Sequence, residues 1–178
     1  MPPGADRVAL ALLPLLRGQF SGFEVDDFDH SLQAATRAQR SGADEQLIVA
    51  ALCHDMGKAI DARHHDRIAA RILAPYVRTE VSWVLGVHQD FSALGRRLGR
   101  RARLRHALHP AYGLACRFVD EWDLPSRDPA YESRPLEHFR PLLEGVLAVR
   151  RPPAPVAARV RSVVASRVPA PVRRLGSR

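Results

Sequence analysis

His54 and Asp55 end a seven-residue apolar run, Leu47-Ile-Val-Ala-Ala-Leu-Cys53, and Met56-Gly57-Lys58 follows them. Imidazole and carboxylate together hold iron, manganese or zinc, and the pair carries no thiolate that would suit copper(I) or an iron–sulfur cluster. An apolar run ending in two strong ligands reads as a buried helix that delivers a site into the interior. Neighbouring residues on a helix project about 100° apart. The carboxylate can then bridge two metals while the imidazole holds one of them, with the metals about 3.5–4 Å apart. Further ligands stand along the chain: His30 before the pair, then His64 or His65, His88, and a late aspartate, Asp120 or Asp123. The chain reads as an enzyme with two divalent metal ions.

Each of these residues also has a plainer role. His30 alone would be a helix-start or surface histidine; an antiparallel hairpin would carry it to His54. His64-His65-Asp66 opens a helix and could be an exposed polar cap; as a site, one histidine binds metal and the other touches substrate. His88 closes an apolar helix, where the dipole favours a histidine in any case. Asp120 and Asp123 lie i, i+3 on one helical face, so either could be the last ligand. His106, His109 and His138 have no partner pattern and read as structural or surface residues.

The elements that must position these groups are helical. Period-2 segments between turn signals are lacking, whereas helical spacing recurs. Ala5 to Leu16 is apolar, with a kink or early stop at Pro14. Phe28 to Arg40 forms a helix ended by Ser41-Gly42. Asp44 caps a helix running to about Met56 that Gly57 terminates. His65 to Leu73, Thr79 to His88, Pro110 to Trp122 and Pro135 to Val149 complete an all-α domain of six to eight helices. Gly95 to Arg105 holds six arginines and interrupts the pattern as a loop. The domain spans 1–150, and the Arg/Pro/Ala-rich tail, 151–178, reads as disordered.

Composition bounds the rest. With 178 residues, 46% of them hydrophobic, the chain can build one domain with a core. No 18-residue apolar stretch spans a membrane. The N-terminus lacks a signal-peptide pattern, and two cysteines, Cys53 and Cys116, exclude a disulfide scaffold. A cytoplasmic protein with reduced thiols is expected. The tail's seven arginines, with no acid among them, account for all but one of the eight net positive charges. The arginine loop and tail could attract nucleic acid or an anionic surface. Without aromatic platforms to stack bases there, nucleic acid is not the expected partner.

Taken in order, His30, His54-Asp55, His65, His88 and a late Asp resemble the H…HD…H…H…D pattern of the HD-domain metal-dependent phosphohydrolases, over roughly Phe20 to Leu147. Four segments resemble a narrower branch, the predicted HD phosphohydrolases, which is similar to mixed-valent di-iron oxygenases that cleave organophosphonates and, more distantly, to myo-inositol oxygenase. They are Asp29-His-Ser-Leu-Gln-Ala-Ala35, Ala50-Ala-Leu-Cys-His-Asp-Met-Gly57, His64-His-Asp-Arg-Ile-Ala-Ala70 and Glu121-Trp-Asp123. That resemblance selects His65 over His64 and Asp123 over Asp120 as metal ligands. Lys58 matches the "HDxGK" of many HD hydrolases and of inositol oxygenases. The chain departs from the phosphonate oxygenases beside the substrate. Phe20 and Phe23 stand where those enzymes have a tyrosine and a glutamate, and Ser92 where they have a lysine.

The resemblance implies metal held by His30, His54, Asp55, His65, His88 and Asp123, with Lys58 and His64 acting on a small-molecule substrate. In the oxygenase reading the metals are iron and O₂ is a co-substrate. In the hydrolase reading manganese or zinc serve as well. The metals there activate water, and Lys58 with arginines of the 96–105 segment neutralises a phosphoryl group.

Overall fold

The computed structural model of the chain describes residues 4–92 and 96–151. It is all-helical, as expected, with no strand among the described residues. Its helices are α1 (Ala5–Leu12), α2 (Asp27–Arg40), α3 (Glu45–Cys53), α4 (His65–Leu73), α5 (Thr79–Ser92), α6 (Arg96–Arg105), α7 (Tyr112–Arg117) and α8 (Leu136–Ala148). No helix among the described residues is long and apolar enough to cross a membrane. Of the tail expected to be disordered, 151–178, residues 152–178 lie outside the described residues.

Local chemistry sets these elements. At Pro14, which lacks an N–H and crowds the preceding turn, α1 tightens into a 3₁₀ turn, Leu13–Leu16. Asp26 caps α2 by accepting from Asp29 N at 2.8 Å. The helix ends at Gly42, whose φ of 72° suits glycine. There Ala43 N reaches back to Ala38 O and Gly42 N to Gln39 O, the paired bonds of a Schellman stop. Asp44 caps α3 from Leu47 N at 3.1 Å. It is fixed in turn by Arg78, whose two terminal nitrogens lie 2.9 and 2.7 Å from its carboxylate.

Every residue of α3 from Leu47 to Cys53 is buried, so this helix is the centre of the molecule. Its neighbours α2, α5 and α8 close around it, and Arg151 N ties the end of α8 to Pro75 O at 2.7 Å. Two antiparallel hairpins result, α2–α3 and α4–α5. In each, the start of the first helix stands beside the end of the second.

Three expectations are corrected. First, α3 stops at Cys53 rather than Met56, and Asp55 has left helical geometry, with φ −98° and ψ −2°. His54 and Asp55 are therefore not successive residues of one regular helix. Their separation comes from the helix end and the 3₁₀ turn Met56–Ala59. Second, the arginine-rich segment is helix α6, not a loop. Arginine is a good helix former, and Arg103 spends its charge on Asp120, at 2.9 and 2.6 Å, and on Phe91 O. Third, α7 passes into a π-helical turn, Phe118–Asp123, marked by the i→i+5 bond from Leu124 N to Val119 O at 2.9 Å. A π turn advances less per residue than an α turn, so Asp120 and Asp123 do not share a face.

Candidate metal centre

Each hairpin presents one pair of histidines. His30, near the start of α2, and His54, just past the end of α3, bring their Nε2 atoms to 3.0 Å. His65, at the start of α4, and His88, near the end of α5, bring theirs to 3.2 Å. All four are buried. Phe118 packs edge-on against His54, ring centres 5.9 Å apart.

The opposite nitrogen of every ring meets a backbone carbonyl. His30 Nδ1 donates to Ser126 O at 2.6 Å. His54, His65 and His88 donate to Ala51 O, Ala62 O and Leu85 O, each at 2.8 Å. A carbonyl only accepts, so each Nδ1 must carry the proton. A neutral imidazole then holds its lone pair on Nε2. Two lone pairs facing each other at 3 Å do not bond to one another; they need a proton or a cation between them. Carbonyl-anchored Nδ1 is also the usual arrangement for metal-binding histidines.

Asp55 lies between the two pairs and gives one oxygen to each. Oδ1 is 3.1 Å from His65 Nε2 and 3.6 Å from His88 Nε2. Oδ2 is 3.5 Å from both His30 Nε2 and His54 Nε2. Asp123, from the π turn, completes the first half, with Oδ1 3.2 Å from His30 Nε2 and 3.8 Å from His54 Nε2. The ligand atoms of His30, His54 and Asp55 lie within 4.8 Å of one another, as do those of Asp55, His65 and His88. Either group could hold an ion. The donor set of imidazole and carboxylate fits divalent iron, manganese or zinc.

Electrostatics agree with that fit. Burial pushes His54 down to about 3, against the pull of Asp55 and Asp123, so the ring is neutral at physiological pH. Burial would raise both carboxyls, but the hydrogen bonds of His65 and His88 and the ammonium of Lys58 hold Asp55 well below the usual range. The hydrogen bond of His30 and the charge of His88 do the same for Asp123. Burial would lower His88; its bond to Asp55 and the two carboxylate charges raise it instead. The two carboxylates are thus ionised and the His54 ring neutral, the forms that ligate, while His88 gives up a proton when it ligates.

Lys58 lies at the edge of the cluster, 2.7 Å from Asp55 Oδ2 and 2.8 Å from Asp27 Oδ1. Burial would lower its ammonium, but these two carboxylates raise it. His64 is not brought in: its side chain is 56% exposed and its Nδ1 sits 2.7 Å from Asp61. Asp120 is likewise outside, paired with Arg103. His106 pairs with Asp90 at 2.8 Å, His109 stacks on Trp83 with ring centres 3.6 Å apart, and His138 reaches Gln39. None of the three joins the cluster.

A cavity of about 350 Å³ opens beside the histidines, with Phe23, Lys58, Gln89, Ser92 and Arg127 among its walls. Ser92 hydrogen-bonds Asp123 from this wall. Sequence reasoning passed over Asp27, the second partner of Lys58, and Arg127. Asp27 sits in an acidic run that reads as helix capping. Arg127 sits in a Pro/Ser/Asp-rich loop, and only tertiary folding shows where it points.

The model of the HD-domain family matches residues 27–123, more than half the chain. The chain belongs to the HD-domain family. Its matched stretch runs from α2 to the last residue of the π turn, so it contains every member of the histidine–aspartate cluster. HD domains are generally metal-dependent phosphohydrolases that bind divalent ions. No curated protein matches the chain.

Proposed function

We propose that this HD domain, residues 1–150 with a basic tail appended, is a dinuclear-metal enzyme acting on a small anionic or hydroxylated substrate, with di-iron oxygenase-like chemistry. The observation that carries the two-metal reading is the division of the Asp55 carboxylate, one oxygen facing each histidine pair. In this reading His30, His54 and Asp123 hold one metal, His65 and His88 the other, and Asp55 both. When bound, such a pair supplies Lewis-acid activation of substrate and of O₂ or water. The chain's own residues do the positioning. The carbonyls of Ala51, Ala62, Leu85 and Ser126 fix the rings. Lys58 holds Asp55 ionised. Ser92 orients Asp123. Phe118 keeps water from the His54 side.

Iron and O₂ rest on the segments around His30, His54-Asp55, His65 and Asp123 that resemble the di-iron branch. The family match favours a second reading, hydrolysis of a phosphate ester or nucleotide through the same ligands. The test is metal analysis of anaerobically purified protein with Mössbauer and EPR spectroscopy. About two irons per chain with a mixed-valent signal supports the oxygenase. Two redox-quiet ions support the hydrolase. A protein that takes up no metal after loading overturns both.

A further inference from the structure

Two cations stand in the wall of the cavity, and they differ in how far they are already engaged. Lys58 Nζ has Asp55 at 2.7 Å, Asp27 at 2.8 Å and Ser21 Oγ at 3.2 Å. An ammonium has three donors, and these partners use all of them. Arg127 is the reverse case. Its Nε is buried with no hydrogen-bond partner. Its carboxylate neighbour Asp123 lies 4.0 Å from Nη2, at the outer limit of an ion pair, and Asp123 is already bonded to Ser92 and close to His30. The guanidinium is nevertheless fixed in place, its carbon 3.7 Å from the centre of the Phe23 ring. That Nε is closed off, so what a ligand in the cavity would meet is the pair of terminal nitrogens, for which the described residues supply no hydrogen bond.

We propose that Arg127 is the residue that recognises the substrate, and that the substrate carries an oxyanionic group. Phosphate, phosphonate and carboxylate share the two-oxygen edge that a planar guanidinium fork reads. The inference rests on the two-metal reading of the same cavity and deepens it. An anion on the fork would lie next to Asp123, hence beside the metal cluster, with the Gln89 amide in the cavity lining as a neutral donor; the Ser92 hydroxyl is already given to Asp123. The cavity is at the small end of the range of ligand pockets, about 300–1,000 Å³, which suits a whole small molecule rather than a segment of a polymer. Two arginines of α6 are already engaged elsewhere. Arg103 is committed to Asp120 and Phe91 O, and Arg105 leans on Asp90 at 3.3 Å.

The test uses the full chain loaded with metal, with metal content measured on every sample. Binding of inorganic phosphate and of acetate is followed by calorimetry. The wild type should bind one of them saturably, and the tighter of the two identifies the head group. Arg127→Gln should weaken it by about tenfold or more, with metal content unchanged. Arg101→Gln, an exposed arginine of α6, should bind as the wild type does. Wild-type affinity in Arg127→Gln, or a loss that follows Arg101→Gln instead, overturns the proposal. If Arg127→Gln fails to fold by circular dichroism, Arg127→Lys decides, because it keeps the charge and loses the fork: weakened binding supports the proposal and full affinity overturns it. A wild type that takes up no metal but binds phosphate through Arg127 would sink the two-metal reading and leave the arginine assigned.

Discussion

Asp120 and Asp123 stand three residues apart, and only one of them reaches the histidines. The π turn separates them: Asp123 is buried against His30, while Asp120 faces out to Arg103. Asp123→Ala should therefore lower the metal content per chain. Asp120→Ala should keep it and cost no more than about 1 kcal/mol of stability, the scale of an exposed ion pair. Equal metal loss in both variants would remove Asp123 from the centre. The cysteines give a second prediction at this scale. Burial pushes the Cys53 thiol up to about 12, so it is neither a nucleophile nor a ligand near neutral pH. Cys53 sits one residue before His54 and is fully buried, while Cys116 is partly exposed. A maleimide should label one thiol per native chain and two after unfolding. Rapid double labelling of the native protein would show that the centre opens. The histidine sequence was readable because its residue types are scarce and their order is specific. Asp27 and Arg127 were not, since an acid or arginine in a polar stretch says nothing about its partner until the chain folds.

Gly57 shows how an element, rather than a ligand, sets the geometry. A Cβ there would stand 2.7 Å from His65 Cα, against backbone that no side-chain rotation can clear. The 3₁₀ turn after Asp55 and the first turn of α4 thus approach as closely as they do because the residue between them is glycine. Gly57→Ala should push α4 away, destabilise the fold by about 1–3 kcal/mol and weaken metal binding in the His65–His88 half more than in the other. Thermal unfolding and stepwise metal titration would measure both. Unchanged affinity for both equivalents would mean that the close approach is only packing. From sequence, Gly57 reads as a helix stop, a local role, while its larger role depends on a contact with the next helix. Elsewhere the element boundaries were legible wherever local chemistry decided them, as at the Asp44 cap, the Ser41-Gly42 stop and Pro14. They were not legible where tertiary contacts decided: the π turn gives no local sign, and α6 was hidden by its charge density until Asp120 and Asp90 supplied counter-charges.

At the scale of the whole molecule, the two hairpins converge on a core that holds four histidines and two carboxylates out of water, with Lys58 at its edge. That arrangement is expensive without something to neutralise facing lone pairs. Metal at the centre should therefore stabilise the fold. At free metal one hundred times Kd the gain is about 2.7 kcal/mol, which corresponds to about 5–11 °C in Tm for a domain of this size. The gain depends on pH, and the histidines fix its sign. His88 is raised above its ordinary 6.5 in the metal-free protein. Its proton contributes stability to that form below pH 6.5, and the contribution is lost as pH rises through the raised value. Metal requires the same nitrogen without its proton, so metal binding is favoured as pH rises. His54, neutral with or without metal because burial holds it down to about 3, cancels from the comparison. The difference in Tm between metal-loaded and metal-free protein should thus widen from pH 6 to pH 8, and uptake near pH 7 should release protons. Scanning calorimetry of both forms across that range, with titrations in buffers of different ionisation enthalpy, tests this. A Tm gap that stays constant with pH, together with uptake that releases no proton, would place the metal somewhere other than these imidazoles.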